Sequence, residues 1–325
     1  MNIYTLKNKN NLELEISTLG ATIISLKVLD KNNKFVNVVV GLNSSVDYTS
    51  EEYLKNNLYL GATVGRYAGR ISKKTLDFGG EKYPIHHDNG IHLHGGKNGF
   101  DKKNWTLEHL KGGNNPSITL SYLSKHLEEG YPGNLNVSVT YMLTDTNELC
   151  ITYTATTDQT THVNLTNHAY FNLNGQNSIL DHELFIDSNY YLEVSKDLIP
   201  TGKKKTVEGS HCEFNKKIKI ENDSFEGLDD TFILNENELK AEISAETSGI
   251  AMKVFTNQPA VVVYTPKRFQ GLTFKEGVNY TDYPAICFET QHYPDTPSNS
   301  HFPSTLLTPE KTYTNQSIFK FSTLE

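Results

Sequence analysis

The stretch Leu135-Asn136-Val137-Ser138-Val139-Thr140-Tyr141-Met142-Leu143 decides the reading of the fold. Leu135, Val137, Val139, Tyr141 and Leu143 occupy every second position, separated by Asn136, Ser138, Thr140 and Met142. A period of two places successive side chains on opposite faces, so this is a strand with one face on a core. Ile118, Leu120 and Tyr122 repeat the pattern, as do Leu149, Ile151, Tyr153 and Ala155. Ala260-Val261-Val262-Val263-Tyr264 is apolar without a break, which predicts a strand covered on both faces.

Turn signals separate these segments at short intervals. Gly79-Gly80, Gly95-Gly96, Gly112-Gly113, Asn114-Asn115-Pro116, Pro132-Gly133 and Asp145-Thr146-Asn147 are examples. Closely spaced strands predict an all-β sandwich or barrel. Amphipathic helix is scarce, the best candidate being Val46 to Leu58. With no low-complexity linker, clear repeat or composition break, residues 1–325 are expected to form one large all-β domain.

The formal net charge of −8 and the short basic runs Lys73-Lys74 and Lys203-Lys204-Lys205 argue against nucleic acid. Those runs are expected in solvated loops. Residues 1–20 carry charges throughout and lack the apolar run of a secretory signal. No segment is apolar enough to span a bilayer. Cys150, Cys212 and Cys287 are far apart and odd in number, neither a disulfide framework nor a zinc spacing. A cytoplasmic protein is expected.

Five stretches carry polar residues that strands and turns do not require. In Gly61–Ile71, Arg66 and Arg70 flank glycines; an Arg fork suits hydroxyls or a carboxylate. Two surface arginines at a turn is the plainer alternative. In Ile91–Gly96, His92 and His94 would share a strand face, and with His86 and His87 upstream they suggest half a metal site. No further ligands follow at set distances, so hydrogen-bonding histidines rank above a metal.

Asn164–Leu173 is rich in Asn and His, and such groups need a network or a ligand when buried. In Gly227–Phe232, Asp229 and Asp230 precede an apolar strand, as a turn or as a carboxylate that accepts from ligand hydroxyls. In Ala285–Asp295, Glu289 directly follows an apolar run. Desolvation there would raise its pKa toward neutrality and suit it to general-base work; a salt-bridged structural Glu is the alternative. No Gly-x-Ser-x-Gly elbow or Walker A loop occurs.

Taken in order, GATVGRYAGRI, LHGG, GFDKKNW, NLTNHAYFNL, LDDTF, ICFETQHYPD and FPSTLLTPEKTY resemble the aldose 1-epimerase, or galactose mutarotase, family over residues 61 to about 313. The resemblance implies a large β-sandwich with an open sugar cleft on one sheet, no metal and no organic cofactor. It implies interconversion of the α and β anomers of a free aldohexose such as galactose or glucose. Carried over by motif, Glu289 is the general base and His168 the general acid. His94 hydrogen-bonds the sugar near its ring oxygen, Arg70 and Asp229 contact hydroxyls, and Tyr264 is the aromatic beside the sugar.

The sequence departs from the family pattern at Gly69 and His92, where Asn is common, and at Asp230, where His is common. These changes bear on substrate preference. Rival readings are a carbohydrate-binding module without catalysis, a metal-dependent β-barrel enzyme on the clustered histidines, a hexose 6-phosphate epimerase, and a glycoside hydrolase using Glu289 and Asp229. A small aldose is the expected partner, with no nucleic acid and no membrane; oligomeric state is not legible.

Overall fold

A computed structural model describes residues 1–56, 58–221 and 225–324. Two antiparallel sheets dominate. The larger has nine strands, in the order Thr106–Lys111, Ser117–Ser124, Leu135–Leu143, Glu148–Thr157, Tyr313–Thr323, Ile250–Thr256, Ala241–Ala245, Glu183–Ile186 and Ile218–Lys219. The smaller has six: Tyr170–Phe171, Ile286–Gln291, Ala260–Tyr264, Asp229–Leu234, Ser188–Val194 and Pro200–Thr206. A four-stranded sheet runs through Ile3–Lys7, Glu13–Ser17, Thr22–Leu29 and Phe35–Asn37.

The deciding stretch folds as its pattern requires. Val137, Val139 and Tyr141 lie opposite Ala155, Tyr153 and Ile151, and all six are buried. They share one apolar core with Val261, Val263, Ile286 and Phe288 of the six-stranded sheet and with Met252, Val254, Phe319 and Phe321 of the larger sheet. Phe171 bridges the sheets, its ring centroid 5.2 Å from that of Phe319. This is the expected all-β sandwich.

Ile286–Gln291 is buried at every residue. Its inner face, Ile286 and Phe288, joins the main core, while Cys287 packs outward into a second apolar cluster with Tyr170, Tyr53, Leu60 and Phe274. Both faces of that sheet are therefore covered, which explains the unbroken apolar runs. The outward positions of this strand are Cys287, Glu289 and Gln291. Cross-strand register sets Asp229, Tyr264, Cys287 and Tyr170 in one row, with Glu289 opposite Val262 one step along.

Some local expectations change. Val46 to Leu58 becomes a 3-10 turn, Asp47–Thr49, and a short helix, Glu51–Asn56; position 57 lies outside the described residues. Lys203, Lys204 and Lys205 belong to the edge strand Pro200–Thr206 rather than a loop. An edge strand tolerates a lysine run because solvent takes its outer side and charge blocks further pairing. Among the described residues, no helix is long and apolar enough to cross a membrane.

Candidate active site

His168 is clamped by backbone on both sides. Its N–H donates to Ala62 O at 2.9 Å, and its carbonyl accepts from Gly61 N–H at 2.9 Å. Gly61 has φ +68, and a Cβ there would stand 1.9 Å from the Ile23 carbonyl oxygen. Only glycine lets the chain pass at that point. Asn167 adds a side-chain bond to Gly61 O at 2.9 Å and accepts from Ala169 N–H at 3.0 Å. The Asn- and His-rich segment is thus a self-satisfied backbone clasp that leaves the His168 imidazole aimed outward.

That imidazole sits between two tyrosine rings, stacked on Tyr170 at 5.0 Å and on Tyr59 at 5.8 Å between centroids. Its Nε2 lies 3.5 Å from Glu289 Oε1. Its Nδ1 lies 3.6 Å from the Cys287 sulfur. Burial lowers the His168 pKa to about 4. Burial, reinforced by the nearby Asp229 charge and opposed by Arg70, raises Glu289 to about 8. Glu289 Oε2 is buried and has no hydrogen-bond partner among the described residues. A carboxylate oxygen left unpaired in a dry site is costly unless a ligand uses it.

Arg70 and His94 arrive together. The strand Arg70–Ile71 pairs with His92–Leu93. His94 N–H donates to Gly69 O at 3.0 Å, and Gly69 N–H donates to His94 Nδ1 at 3.2 Å. Because Nδ1 accepts, the ring proton of neutral His94 rests on Nε2, which makes His94 a donor. Burial, with His168 and Arg70 close by, holds its pKa well below the usual histidine range and keeps it neutral. Arg70 Nη2 lies 3.8 Å from Asp229 Oδ2. Burial raises the Asp229 pKa, with Arg70 opposing. The rings of Tyr264 and His168 are 6.3 Å apart between centroids. The chain therefore brings Glu289, His168, His94, Arg70, Asp229 and Tyr264 into one cluster, at the place where the family resemblance puts the sugar cleft.

A match to the aldose 1-epimerase family model extends over residues 2–320. The chain belongs to the aldose 1-epimerase family. It is 40% identical over 324 residues to the galactose mutarotase of Bos taurus, covering 96% of this chain and 92% of that one. It is 34% identical to the aldose 1-epimerase of Haemophilus influenzae, covering 91% and 88%. Among solved structures, an aldose epimerase homologue from C. elegans superposes with TM-score 0.92 at 28% identity, over 100% and 99% of the two chains. A galactose 1-epimerase from Lactobacillus acidophilus gives 0.86 at 28% identity, over 99% and 95%. Like its family, this chain is an isomerase that interconverts aldose anomers.

Other sequence readings are corrected. His92 and His94 do not share a face: the strand ends at Leu93, and His94 has φ +47. His92 is fully buried, its Nε2 2.6 Å from Tyr131 OH and its Nδ1 bonded to His86 O. With both nitrogens engaged it is structural. Arg66 is no surface residue. It is buried, donating to the Pro132, Gly133 and Ser124 carbonyls at 2.9–3.1 Å and to Ser124 Oγ at 2.6 Å. Asp230 faces away from the cleft toward His211. Of the three departures from the family pattern, only Gly69 borders the cleft.

Three cleft residues escaped sequence reasoning. Cys287 and Gln291 flank Glu289 at a spacing of two, so the strand period itself marks them as neighbours on its face. Gln291 Oε1 is buried without a partner among the described residues. Tyr59, with φ +54, has no local signal; only the fold sets its ring 4.7 Å from that of His94.

Proposed function

We propose that this cleft interconverts the α and β anomers of free aldohexoses, galactose and glucose among them, with Glu289 as general base and His168 as general acid. The observation that carries the reading is the 3.5 Å approach of His168 Nε2 to Glu289 Oε1, with Glu289 Oε2 unpaired. Anomer exchange requires ring opening. Glu289 takes the proton of the anomeric hydroxyl, the C1–ring oxygen bond breaks, and the ring oxygen takes a proton from His168. Rotation about C1–C2 presents the other face of the aldehyde. The steps then reverse, and each residue recovers its starting state.

Between about pH 4 and about pH 8 the pair holds one proton, and it rests on Glu289. The proposed opening needs it on His168, a transfer the short separation permits. His94 donates from Nε2 toward the ring oxygen. Arg70 and Asp229 hold hydroxyls, and Tyr264 lies against the sugar. A pure binding module would need the hydroxyl contacts but not an acid and a base converging on one point.

Free sugars fit better than phosphorylated ones. The cavity beside Tyr59, lined also by His86, His87, Lys97 and Lys102, spends one lysine on Asp101 at 2.8 Å and includes Asp88. The relatives named for galactose support that substrate. In this reading residues 1–325 work as one domain. A cytoplasmic location is supported by three unpaired, buried cysteines.

Polarimetry on freshly dissolved α-galactose, α-glucose and glucose 6-phosphate tests the reading. Acceleration with both free sugars, and a far weaker effect on the phosphate, is expected. A preference for the phosphate would overturn the substrate assignment.

A further inference from the structure

We propose that His211, Cys212 and Asp230 form a site for a divalent transition metal such as zinc, outside the sugar cleft. His211 Nε2 lies 3.1 Å from both carboxylate oxygens of Asp230 and 3.4 Å from the Cys212 sulfur. One donor atom from each residue falls within 4.8 Å of the others. Zinc bonds of about 2.0–2.3 Å at tetrahedral angles give ligand–ligand edges of roughly 3.3–3.6 Å. The observed spacings are a few tenths shorter, so an ion enters with a small outward shift of the ligands.

The chemistry of the set points the same way. Imidazole, thiolate and carboxylate together suit zinc and its neighbours rather than calcium or magnesium. Cys212 and Asp230 are buried, whereas the His211 side chain is 55% exposed. Among the described residues, His211 is the only ion-pair partner of Asp230. A cavity of about 770 Å³, lined by Ser210, His211, Phe214 and Gly227, provides an entry path and room for a solvent ligand. A nucleophilic relay does not fit, because a single ring nitrogen faces both the thiol and the carboxylate. A relay needs the base to use one nitrogen for each.

The site has a structural consequence for the cleft. Asp229 N–H donates to Asp230 Oδ2 at 3.3 Å. An ion on Asp230 ties the segment holding His211 and Cys212 to the strand that presents Asp229.

The test is a titration of the chelator-treated full chain with Co²⁺, read by absorbance. One equivalent should bind with a thiolate-to-cobalt charge-transfer band. Cys212→Ser should abolish the band. His211→Ala, at a side chain that is 55% exposed, should weaken binding by about tenfold or more. His94, His168 and Glu289 also converge, with Cys287 beside them, so Cys287→Ser is the control: the band should stay intact, because its sulfur ligand is Cys212. Zinc should raise the Tm of the wild type by more than that of His211→Ala at the same zinc concentration. Absence of the band in the wild type, its survival in Cys212→Ser, or unchanged affinity in His211→Ala would each overturn the proposal.

Discussion

His168 Nε2 and Glu289 Oε1 stand 3.5 Å apart, and burial drives both groups toward their neutral forms. A site that holds one proton between two such groups is poised to pass it through a substrate.

The pH dependence follows. Below about pH 4 His168 takes up a proton and the pair holds two; above about pH 8 Glu289 loses its proton and the pair holds none. The ratio kcat/KM, measured by polarimetry after subtracting solvent mutarotation, should form a bell with limbs near those values. A rate that keeps rising above pH 9 would count against the pair.

The raised Glu289 pKa also affects stability. The folded state holds the proton more tightly than the unfolded chain, so this group's contribution is full below the ordinary carboxylate pKa near 4.5. It is lost as pH rises through about 8. Glu289→Gln should therefore be more stable than the wild type at alkaline pH, by roughly 3 °C or more in Tm, with the advantage vanishing near pH 4. Thermal melts at the two pH values check this.

Cys287 should act by positioning His168. Burial keeps its thiol well above the ordinary range and so protonated; the sulfur accepts from His168 Nδ1–H and leaves Nε2 as the basic nitrogen facing the proton on Glu289. Cys287→Ser should keep kcat, whereas Cys287→Val should lower it by about tenfold with little change in KM. Equal activity of the two variants would remove the thiol from the account.

The two arginines should separate cleanly. Arg70→Lys loses the planar fork beside Asp229 and should raise KM by about tenfold with kcat nearly unchanged. Arg66→Met leaves buried carbonyls without donors and should cost about 2–4 kcal/mol in urea unfolding. The remaining folded fraction should have normal kinetics.

The strands of the sandwich were legible because alternation at Leu135–Leu143 and the unbroken run at Ala260–Tyr264 report burial on one face or two. The site was legible by motif, and only in part by physics. Glu289 announced itself as a carboxylate closing an apolar run. His168 did not, since Asn167 beside it proved structural. His92 misled because a left-handed residue at position 94 ended the strand early. Arg66 misled because the carbonyls that it satisfies lie 58 to 67 residues away in sequence. Tyr59 was invisible, because its place beside two histidines depends on backbone contacts between distant segments.

The most direct test is the mutarotation of α-galactose by Glu289→Gln, followed by polarimetry alongside calorimetric binding of the sugar. A loss of about 10²-fold or more in kcat, with sugar binding retained, is expected. Near wild-type turnover would contradict the assignment of Glu289 as base.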